Sequence, residues 1–163
     1  MGPEEIIEIL GLKPLHPEGG YYRESYRSPS CIPARDGESA PQRSLATAIY
    51  YLLTPHDFSA LHRLASDETY HFYLGDPVQM LLLHPDGSGR EAILGHDLQN
   101  GQMVQLTIPA GVWQGAALRP GGRYALLGTT VSPGFDARDF CLADRALADK
   151  FPGFAEQIHR LTR

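Results

Sequence analysis

The sequence predicts an all-β protein with short helices at its two ends. Between residues 44 and 131, short runs rich in β-branched, aromatic and aliphatic residues alternate with turn residues at near-regular spacing. Helical patterns occur only near residues 3–10 and 142–161. Many short strands of this kind are typical of a β-sandwich or jelly roll. At 163 residues the chain is expected to be a single domain spanning residues 1–163.

The first predicted element is a helix that begins at Pro3 and ends before Gly11. Proline suits the first turn of a helix, and glycine suits the position after its end. Glu4 and Glu5 lie in the first turn, where they complement the positive end of the helix dipole.

A loop, a strand and a second loop are predicted next. Lys13–Gly20 contains two prolines and ends in a Gly-Gly pair, which predicts a loop. Tyr21–Arg27 is rich in tyrosine and predicts a strand. Ser28–Gln42 carries three prolines and a glycine, which again predicts a loop.

The central region predicts eight further strands bounded by turn residues. They are Ala46–Leu53, Ala60–Leu64, Thr69–Leu74, Val78–His84, Glu91–Leu94, Val104–Ile108, Gly115–Leu118 and Tyr124–Val131. The segment His84–Gly89 has the composition of a hairpin turn. After the strands, Asp139–Asp144 is predicted to begin a helix and form its solvated face. Helices are expected over Leu142–Phe151 and Phe154–Leu161.

Composition excludes several classes of partner. The chain has 19 acidic and 14 basic residues, a net charge of −5 and no basic run, so neither nucleic acid nor a membrane surface is an expected partner. No segment approaches the roughly 18 apolar residues of a membrane span. The first ten residues lack the basic region of a signal peptide. With Cys31 and Cys141 expected to be free thiols, the predicted location is the cytoplasm.

A candidate pocket is centred on a histidine and a glutamate. His62 and Leu64 share one face of a predicted strand because side chains alternate, and Glu68 opens the next strand. Tyr70 and Phe72 lie on the same face as Glu68. A barrel can gather such residues around an enclosed ligand. A histidine and a carboxylate facing one cavity can bind a metal, move a proton or hydrogen-bond a ligand.

The spacing around this pair resembles the first sequence motif of the cupin superfamily. That motif has His-x-His, then Glu, then Gly. His62, Glu68 and Gly75 match it, whereas Leu64 stands where a metal-binding cupin has its second histidine.

A second segment resembles the other cupin motif, in which Pro-x-Gly is followed two residues later by His. Pro109 and Gly111 match, and Gln114 stands in place of the histidine. Amides are poor transition-metal ligands beside imidazole and carboxylate, so Gln114 is predicted to hydrogen-bond a ligand or to be structural.

A longer resemblance extends from about Leu12 to Leu147 and is similar to a cupin branch of small proteins without assigned function. The segments that carry it are Glu18–Glu24, Ala48–Leu53, Phe58–Arg63, His71–Tyr73, Pro109–Ala116, Pro133–Asp136 and Asp139–Phe140. This resemblance implies a double-stranded β-helix, a homodimer and a structural likeness to epimerases of the dTDP-deoxysugar type, which work without a metal.

Several further residues are candidates for binding the ligand. Trp113, Tyr50, Tyr70 and Phe72 can stack on a flat ring or simply pack in the core. His71 is a further candidate, although alternation places it on the face opposite Glu68 unless a bulge intervenes.

Arg23 follows an aromatic pair and can hold a carboxylate or phosphate through paired hydrogen bonds. A surface or interface salt bridge is the alternative role for this residue.

Three functions remain open at this point. The first is a metal-independent isomerase or epimerase in which His62 is the base and a tyrosine the acid. The second is a non-catalytic binder of a planar or anionic metabolite, such as a nucleobase or a nucleotide-like compound. The third is a metal-dependent cupin with a reduced ligand set of His62, Glu68 and either Gln114 or His71. Only the third requires a divalent metal; no other cofactor is expected.

Overall fold

Two antiparallel sheets stack face to face in a computed structural model, which describes residues 1–34 and 42–163. In chain order the strands are β1 Lys13–Pro14, β2 Tyr21–Arg27, β3 Cys31–Pro33, β4 Gln42–Ser44, β5 Thr47–Leu53, β6 Ser59–Arg63, β7 Asp67–Gly75, β8 Val78–Leu83, β9 Gly89–Leu94, β10 Gln105–Ile108, β11 Trp113–Leu118, β12 Ala125–Ser132 and β13 Cys141–Leu142. The larger sheet has the order β1-β2-β5-β12-β7-β10, and the smaller has β13-β6-β11-β8-β9. From β5 onward the chain crosses repeatedly between the sheets, which confirms the predicted all-β jelly roll.

The main core lies between the two sheets and follows the period-two pattern of strands. Tyr70 and Phe72 of β7 contact Met80 and Leu82 of β8 within one buried cluster. The alternating residues Thr69, His71 and Tyr73 of β7 lie on the outer face of the larger sheet. This alternation places Glu68 on the inner face with Tyr70 and Phe72.

The helices cover the outer faces of the sheets. They are α1 Pro3–Leu10, α2 Leu147–Lys150 and α3 Ala155–Arg160. Ile6 of α1 packs against Leu52 and Leu126 of the larger sheet. In the smaller sheet, Leu81 and Leu83 are outward-facing and pack against α2 and α3, so both faces of β8 are buried. None of the helices in the described ranges is long and apolar enough to cross a membrane.

The C-terminal prediction requires correction. The segment predicted as a helix from Leu142 begins as strand β13, in which Cys141 and Leu142 pair with Arg63 and His62. Helix begins only at Leu147, and the second predicted helix is shortened to Ala155–Arg160. The sequence did not predict β13 because a strand of two residues is too short to show alternation between apolar and polar residues.

Asp139 was also predicted to lie on a solvated helix face, and this prediction is wrong. Its Oδ2 lies 2.5 Å from Nη1 of Arg43, whose side chain is only 4% exposed. An ion pair with a buried arginine, rather than solvent, therefore determines the position of Asp139.

All nine predicted central and N-terminal strands agree with the structure to within two residues at each end. Tyr21–Arg27 matches β2 without a difference. The predicted loop Ser28–Gln42 instead contains the short strand β3. The middle of that loop, residues 35–41, lies outside the described residues.

Candidate functional site

A cavity of about 480 Å³ lies against the inner face of the larger sheet. Five strands (β2, β5, β6, β7 and β12) and the loops at residues 15–18 and 133–140 supply its lining. Its apolar lining residues are Leu15, Pro17, Ile49, Leu64, Val131, Phe135, Ala137 and Phe140. Its ionisable residues include His62, Glu68 and Glu18. The predicted pair of His62 and Glu68 therefore does line a cavity of the size that small-molecule sites have.

His62 is buried in this site and held in one orientation. Its Nδ1 lies 2.8 Å from the carbonyl oxygen of Ala60. A carbonyl only accepts, so Nδ1 carries a proton and donates it there. The ring stacks on Phe140, with centroids 5.1 Å apart and planes inclined by 22°. Its Nε2 is directed toward Glu68, 4.0 Å from Oε2.

The electrostatic surroundings favour the imidazolium form of His62. Burial by itself lowers the pKa of a histidine, but the nearby carboxylates of Glu18 and Glu68 outweigh it and raise the pKa to about 9. His62 is thus protonated at neutral pH. Its Nε2–H is then a proton donor rather than the acceptor that a general base requires, and this favours an acidic role over the predicted basic one.

Gln114 holds Glu68 from the opposite sheet. Its Nε2 donates a hydrogen bond to Glu68 Oε2 at 2.8 Å, and both side chains are buried. Gln114 pairs with His62 in the ladder between β11 and β6. Among the described residues, Gln114 Oε1 has no hydrogen-bond partner. The amide therefore orients the carboxylate through its NH₂ group, and its oxygen remains as an acceptor.

Glu18 is the ionisable residue that the sequence analysis missed. It lines the cavity, and its Oε1 accepts a 2.7 Å hydrogen bond from the hydroxyl of the buried Ser59. Burial raises its pKa, with a smaller contribution from Glu68, against the lowering effect of His62. Glu18 lies in a loop and so has no strand or helix period. The signal that marks it is the Gly-Gly pair that follows.

Close packing and hydrogen bonds fix the backbone of the Glu18–Gly20 turn, and the fixed backbone positions the Glu18 side chain. Gly20 has a φ of +73°, and a Cβ on it would lie 2.8 Å from the carbonyl oxygen of Leu52. Its N–H donates to Asp57 Oδ2 at 2.7 Å. The guanidinium of Arg163 donates to the backbone oxygen of Glu18 at 3.1 Å. These contacts hold the turn from both sides.

Two phenols adjoin the same cluster of charges. Tyr51 donates from its hydroxyl to the carbonyl oxygen of Gly19 at 2.9 Å. Burial raises the pKa of both Tyr51 and Tyr70 well above the ordinary value. The negative charge of Glu18 assists at both tyrosines, and that of Glu68 assists at Tyr70. Both tyrosines therefore remain protonated. They are core residues and do not line the cavity, so Tyr70 is not placed to stack on a ligand there.

Three predicted ligand-binding residues face the outside of the larger sheet. His71 Nε2 lies 3.2 Å from Thr130 Oγ1, and its ring stacks on Tyr73. The guanidinium of Arg23 lies over the ring of Tyr50, 5.4 Å from its centroid. Alternation at these positions of β2, β5 and β7 turns the three side chains away from the cavity.

Trp113 and Phe72 also lie apart from the cavity lining. Trp113 packs with the helices that cover the smaller sheet, and Arg63 lies 4.7 Å above its ring. Phe72 is in the main core, edge-to-face with His96 at 4.8 Å. The structure thus brings His62, Glu68 and Gln114 together, and none of the other six predicted residues lines the cavity.

An ion pair at the cavity wall was not predicted either. Arg27 of β2 donates to both carboxylate oxygens of Glu24, at 3.0 and 2.8 Å. It also donates to the backbone oxygen of Phe135 at 3.3 Å. Arg27 therefore connects β2 to the loop that carries Phe135 and Phe140.

The donor set does not fit a transition-metal centre. Imidazole and carboxylate are good ligands, but Leu64 offers no donor atom and Gln114 presents its NH₂ group to Glu68. Within residues 1–34 and 42–163, no group of three or more His, Cys, Asp or Glu side chains has metal-binding geometry.

Known proteins share extensive sequence similarity with this chain. The model of the family described as Cupin superfamily (DUF985) matches residues 4–143. The uncharacterized protein YML079W of Saccharomyces cerevisiae is 32% identical over 134 residues, which are 76% of this chain and 67% of the yeast protein.

Solved structures show the same fold over the full chain. A hypothetical protein from Leishmania major has a TM-score of 0.90 and 34% identity, with 99% of both chains covered. Protein SO0799 from Shewanella oneidensis has a TM-score of 0.88 and 35% identity, covering 100% of this chain and 98% of its own. Oxalate decarboxylase from Bacillus subtilis, at 15% identity and a TM-score of 0.54, covers 92% of this chain and 37% of its own, and shares the fold alone.

Proposed function

Since the chain belongs to the family described as Cupin superfamily (DUF985), we propose that it is a small-molecule enzyme of the isomerase or epimerase kind. It transfers a proton on a substrate held in the barrel cavity and uses no metal ion. The observation that carries this proposal is a buried imidazole flanked by two carboxylates, Glu18 and Glu68, all lining one apolar-walled cavity.

The acid in this scheme is His62. Its Nε2–H donates to a substrate oxygen and stabilises the negative charge that develops when a proton leaves the neighbouring carbon. The raised pKa of His62 keeps the donor protonated at neutral pH. Glu68, held by Gln114, fixes the imidazolium electrostatically.

The base is Glu18. Burial raises the pKa of this carboxyl, which makes its ionised form a stronger base than an ordinary glutamate. Glu18 removes a proton from the carbon next to a carbonyl, and His62 protonates the carbonyl oxygen. Glu18 then returns this proton to the former carbonyl carbon, while a hydroxyl on the deprotonated carbon becomes the new carbonyl and gives its proton to His62. The product is an isomer, and both residues recover their original protonation.

A non-catalytic binder is the second candidate, and the apolar walls favour it. Ile49, Val131, Phe135 and Phe140 suit a flat ring, as in most small-molecule sites. Binding without turnover would be a complete function for such a cavity. The metal-dependent alternative ranks last because Leu64 has no donor atom and Gln114 presents its NH₂ group to Glu68.

Deuterium exchange separates the first two candidates. The protein is incubated in D₂O with a pooled small-molecule extract, and mass spectrometry records which compounds gain deuterium. An enzyme of the proposed kind labels at least one compound, and His62→Gln and Glu18→Gln each abolish the labelling. His71→Gln is the matched control, because His71 lies on the outer face and should leave the labelling unchanged. Stable binding of a compound that never exchanges would establish the binder instead.

We also propose that the protein is a homodimer formed through the outer face of the larger sheet. Tyr26, Tyr73 and Leu74 are 52%, 42% and 45% exposed there, which is unusual for large apolar side chains on one sheet. A second copy would cover them. Sedimentation should give twice the chain mass, and Tyr73→Lys should lower it to one chain; a monomer at high concentration would refute the dimer.

A further inference from the structure

We infer that the cavity takes an uncharged, unphosphorylated ring compound that carries hydroxyl or amino hydrogen-bond donors. The inference rests on the proposed function, since it assumes that a small molecule occupies this cavity. It narrows the ligand to a class that neither the family nor the fold specifies.

The balance of charge around the cavity is the first argument. Among the described lining residues, the anions are Glu18, Glu24 and Glu68, and the cations are Arg27 and protonated His62, with His16 counted as neutral. Negative groups therefore outnumber positive ones. A phosphate or diphosphate entering this cavity would meet net repulsion, which is least screened by solvent beside the buried carboxylate of Glu68.

The pairing of Arg27 is the second argument. A phosphate is best recognised by a guanidinium that can offer two parallel N–H donors. Here the edge formed by Nε and Nη2 is taken by Glu24, at 3.0 and 2.8 Å, and Nη1 donates to the carbonyl of Phe135. A phosphate bound by Arg27 would have to replace Glu24 on this edge or use only the N–H groups that Glu24 and Phe135 leave.

His62 does not compensate for this. Its Nδ1–H is committed to Ala60, and Phe140 stacks on the ring. The remaining Nε2 faces Glu68 at 4.0 Å, so its charge is balanced within the site. It suits a single neutral oxygen better than a dianion.

The same groups fit donors on a neutral ring. The carboxylates of Glu18 and Glu68 accept hydrogen bonds, and His62 supplies one donor to a carbonyl or ring oxygen. Phe135, Ile49 and Val131 offer apolar contact to the ring face. A volume of about 480 Å³ accommodates one or two rings. Free sugars and nucleobases or nucleosides share this chemistry, whereas sugar nucleotides and nucleotides do not.

Matched pairs of probes test the inference. The pairs are glucose and glucose 1-phosphate, adenosine and adenosine monophosphate, and thymidine and thymidine diphosphate. Binding is measured by saturation-transfer NMR and titration calorimetry at about 150 mM salt, where surface charges are largely screened beyond roughly 8 Å. Binding is assigned to the cavity when Ala137→Trp, a change on an exposed loop residue that lines it, abolishes the signal.

The expected result is that at least one uncharged compound binds in the cavity, with a Kd at least tenfold lower than that of its phosphorylated partner. Glu24→Gln should free Arg27 to bind a phosphate. The affinity for the phosphorylated compound should then rise, and the ratio of the two Kd values should fall severalfold. Glu91→Gln, which removes an exposed carboxylate from the surface of β9, is the matched control and should leave the ratio unchanged.

Two results would overturn the inference: tighter cavity binding of a phosphorylated member, or no cavity binding by any uncharged probe. Its failure is distinguishable from failure of the proposed function. Deuterium labelling of a phosphorylated compound would keep the proton-transfer proposal and end this one. Cavity binding of neutral rings without any deuterium exchange would support the inferred ligand class and end the proton-transfer proposal.

Discussion

Gln114 Nε2 lies 2.8 Å from Glu68 Oε2, and this hydrogen bond joins the two sheets of the barrel at the candidate site. Gln114 belongs to β11 of the smaller sheet, and Glu68 belongs to β7 of the larger one. A histidine at position 114 would complete a metal site in a metal-binding cupin. Here the amide of Gln114 instead donates a hydrogen bond that offsets part of the free-energy cost of burying the Glu68 carboxylate.

Gln114→Glu should destabilise the protein strongly at neutral pH. Two buried carboxylates would then face each other. A buried charge without a compensating partner costs about 3 kcal/mol or more in unfolding free energy. Acidification should recover much of this loss, because one of the two groups becomes protonated. Gln114→Leu is the control: it loses the hydrogen bond at a cost of roughly 1–3 kcal/mol but adds no charge. Urea unfolding at pH 7 and pH 5 measures both, and an equal pH response in the two variants would contradict the prediction.

The stability of the protein should fall between pH 6.5 and pH 9 through His62. The pKa of this residue rises from 6.5 to about 9 on folding, so its stabilisation is complete below pH 6.5 and is lost as the pH rises through 9. A shift of this size corresponds to about 3 kcal/mol. The difference in unfolding free energy between the wild type and His62→Gln should therefore shrink across this range.

A histidine on the outer face provides the control for that experiment. His71→Gln should keep the pH dependence of the wild type. Glu18→Gln should weaken it, because the charge of Glu18 is the largest single contribution that raises the pKa of His62. An NMR titration that places the His62 midpoint near 6.5 in the wild type would contradict the charge assignment.

Gly20→Ala should be more destabilising than an alanine at an open turn. Both Gly20 and Gly87 have positive φ, at +73° and +90°, where a Cβ costs roughly 1–2 kcal/mol. At Gly20 the Cβ also meets the Leu52 carbonyl and the Tyr51 ring, whereas at Gly87 nothing lies within 4 Å. Overpacking adds about 1–3 kcal/mol at Gly20. Thermal and urea unfolding of the two variants compare these costs, and equal losses would argue against the close packing of the Glu18 turn.

Metal affinity should appear when two histidines replace the residues that depart from the motifs. Leu64→His combined with Gln114→His should bind about one divalent transition-metal ion per chain, since imidazole nitrogens and a carboxylate then face one site. Elemental mass spectrometry of the purified proteins measures this. The wild type and the single variant Leu64→His are the controls. A stoichiometric metal in the wild type, lost in His62→Ala, would contradict the donor-set argument.

The sequence by itself determined the features that depend on local pattern. Alternation along β7 puts Glu68, Tyr70 and Phe72 on the inner face, and the same rule turns His71 outward. Proline at position 3 and glycine at position 11 bound α1 as predicted. The motif spacing singled out His62 and Glu68, because residues a few positions apart on adjoining strands have a defined relationship.

The tertiary structure alone decided which distant residues meet at the site. Glu18 and Ser59 are 41 positions apart, and Gln114 and Glu68 are 46 apart, so no local period relates them. The same holds for the burial of Asp139 against Arg43, 96 positions away. Such contacts depend on how the sheets stack and where the loops close over the cavity. The charge of His62 depends on them in turn, because a pKa is determined by the neighbours that folding brings together.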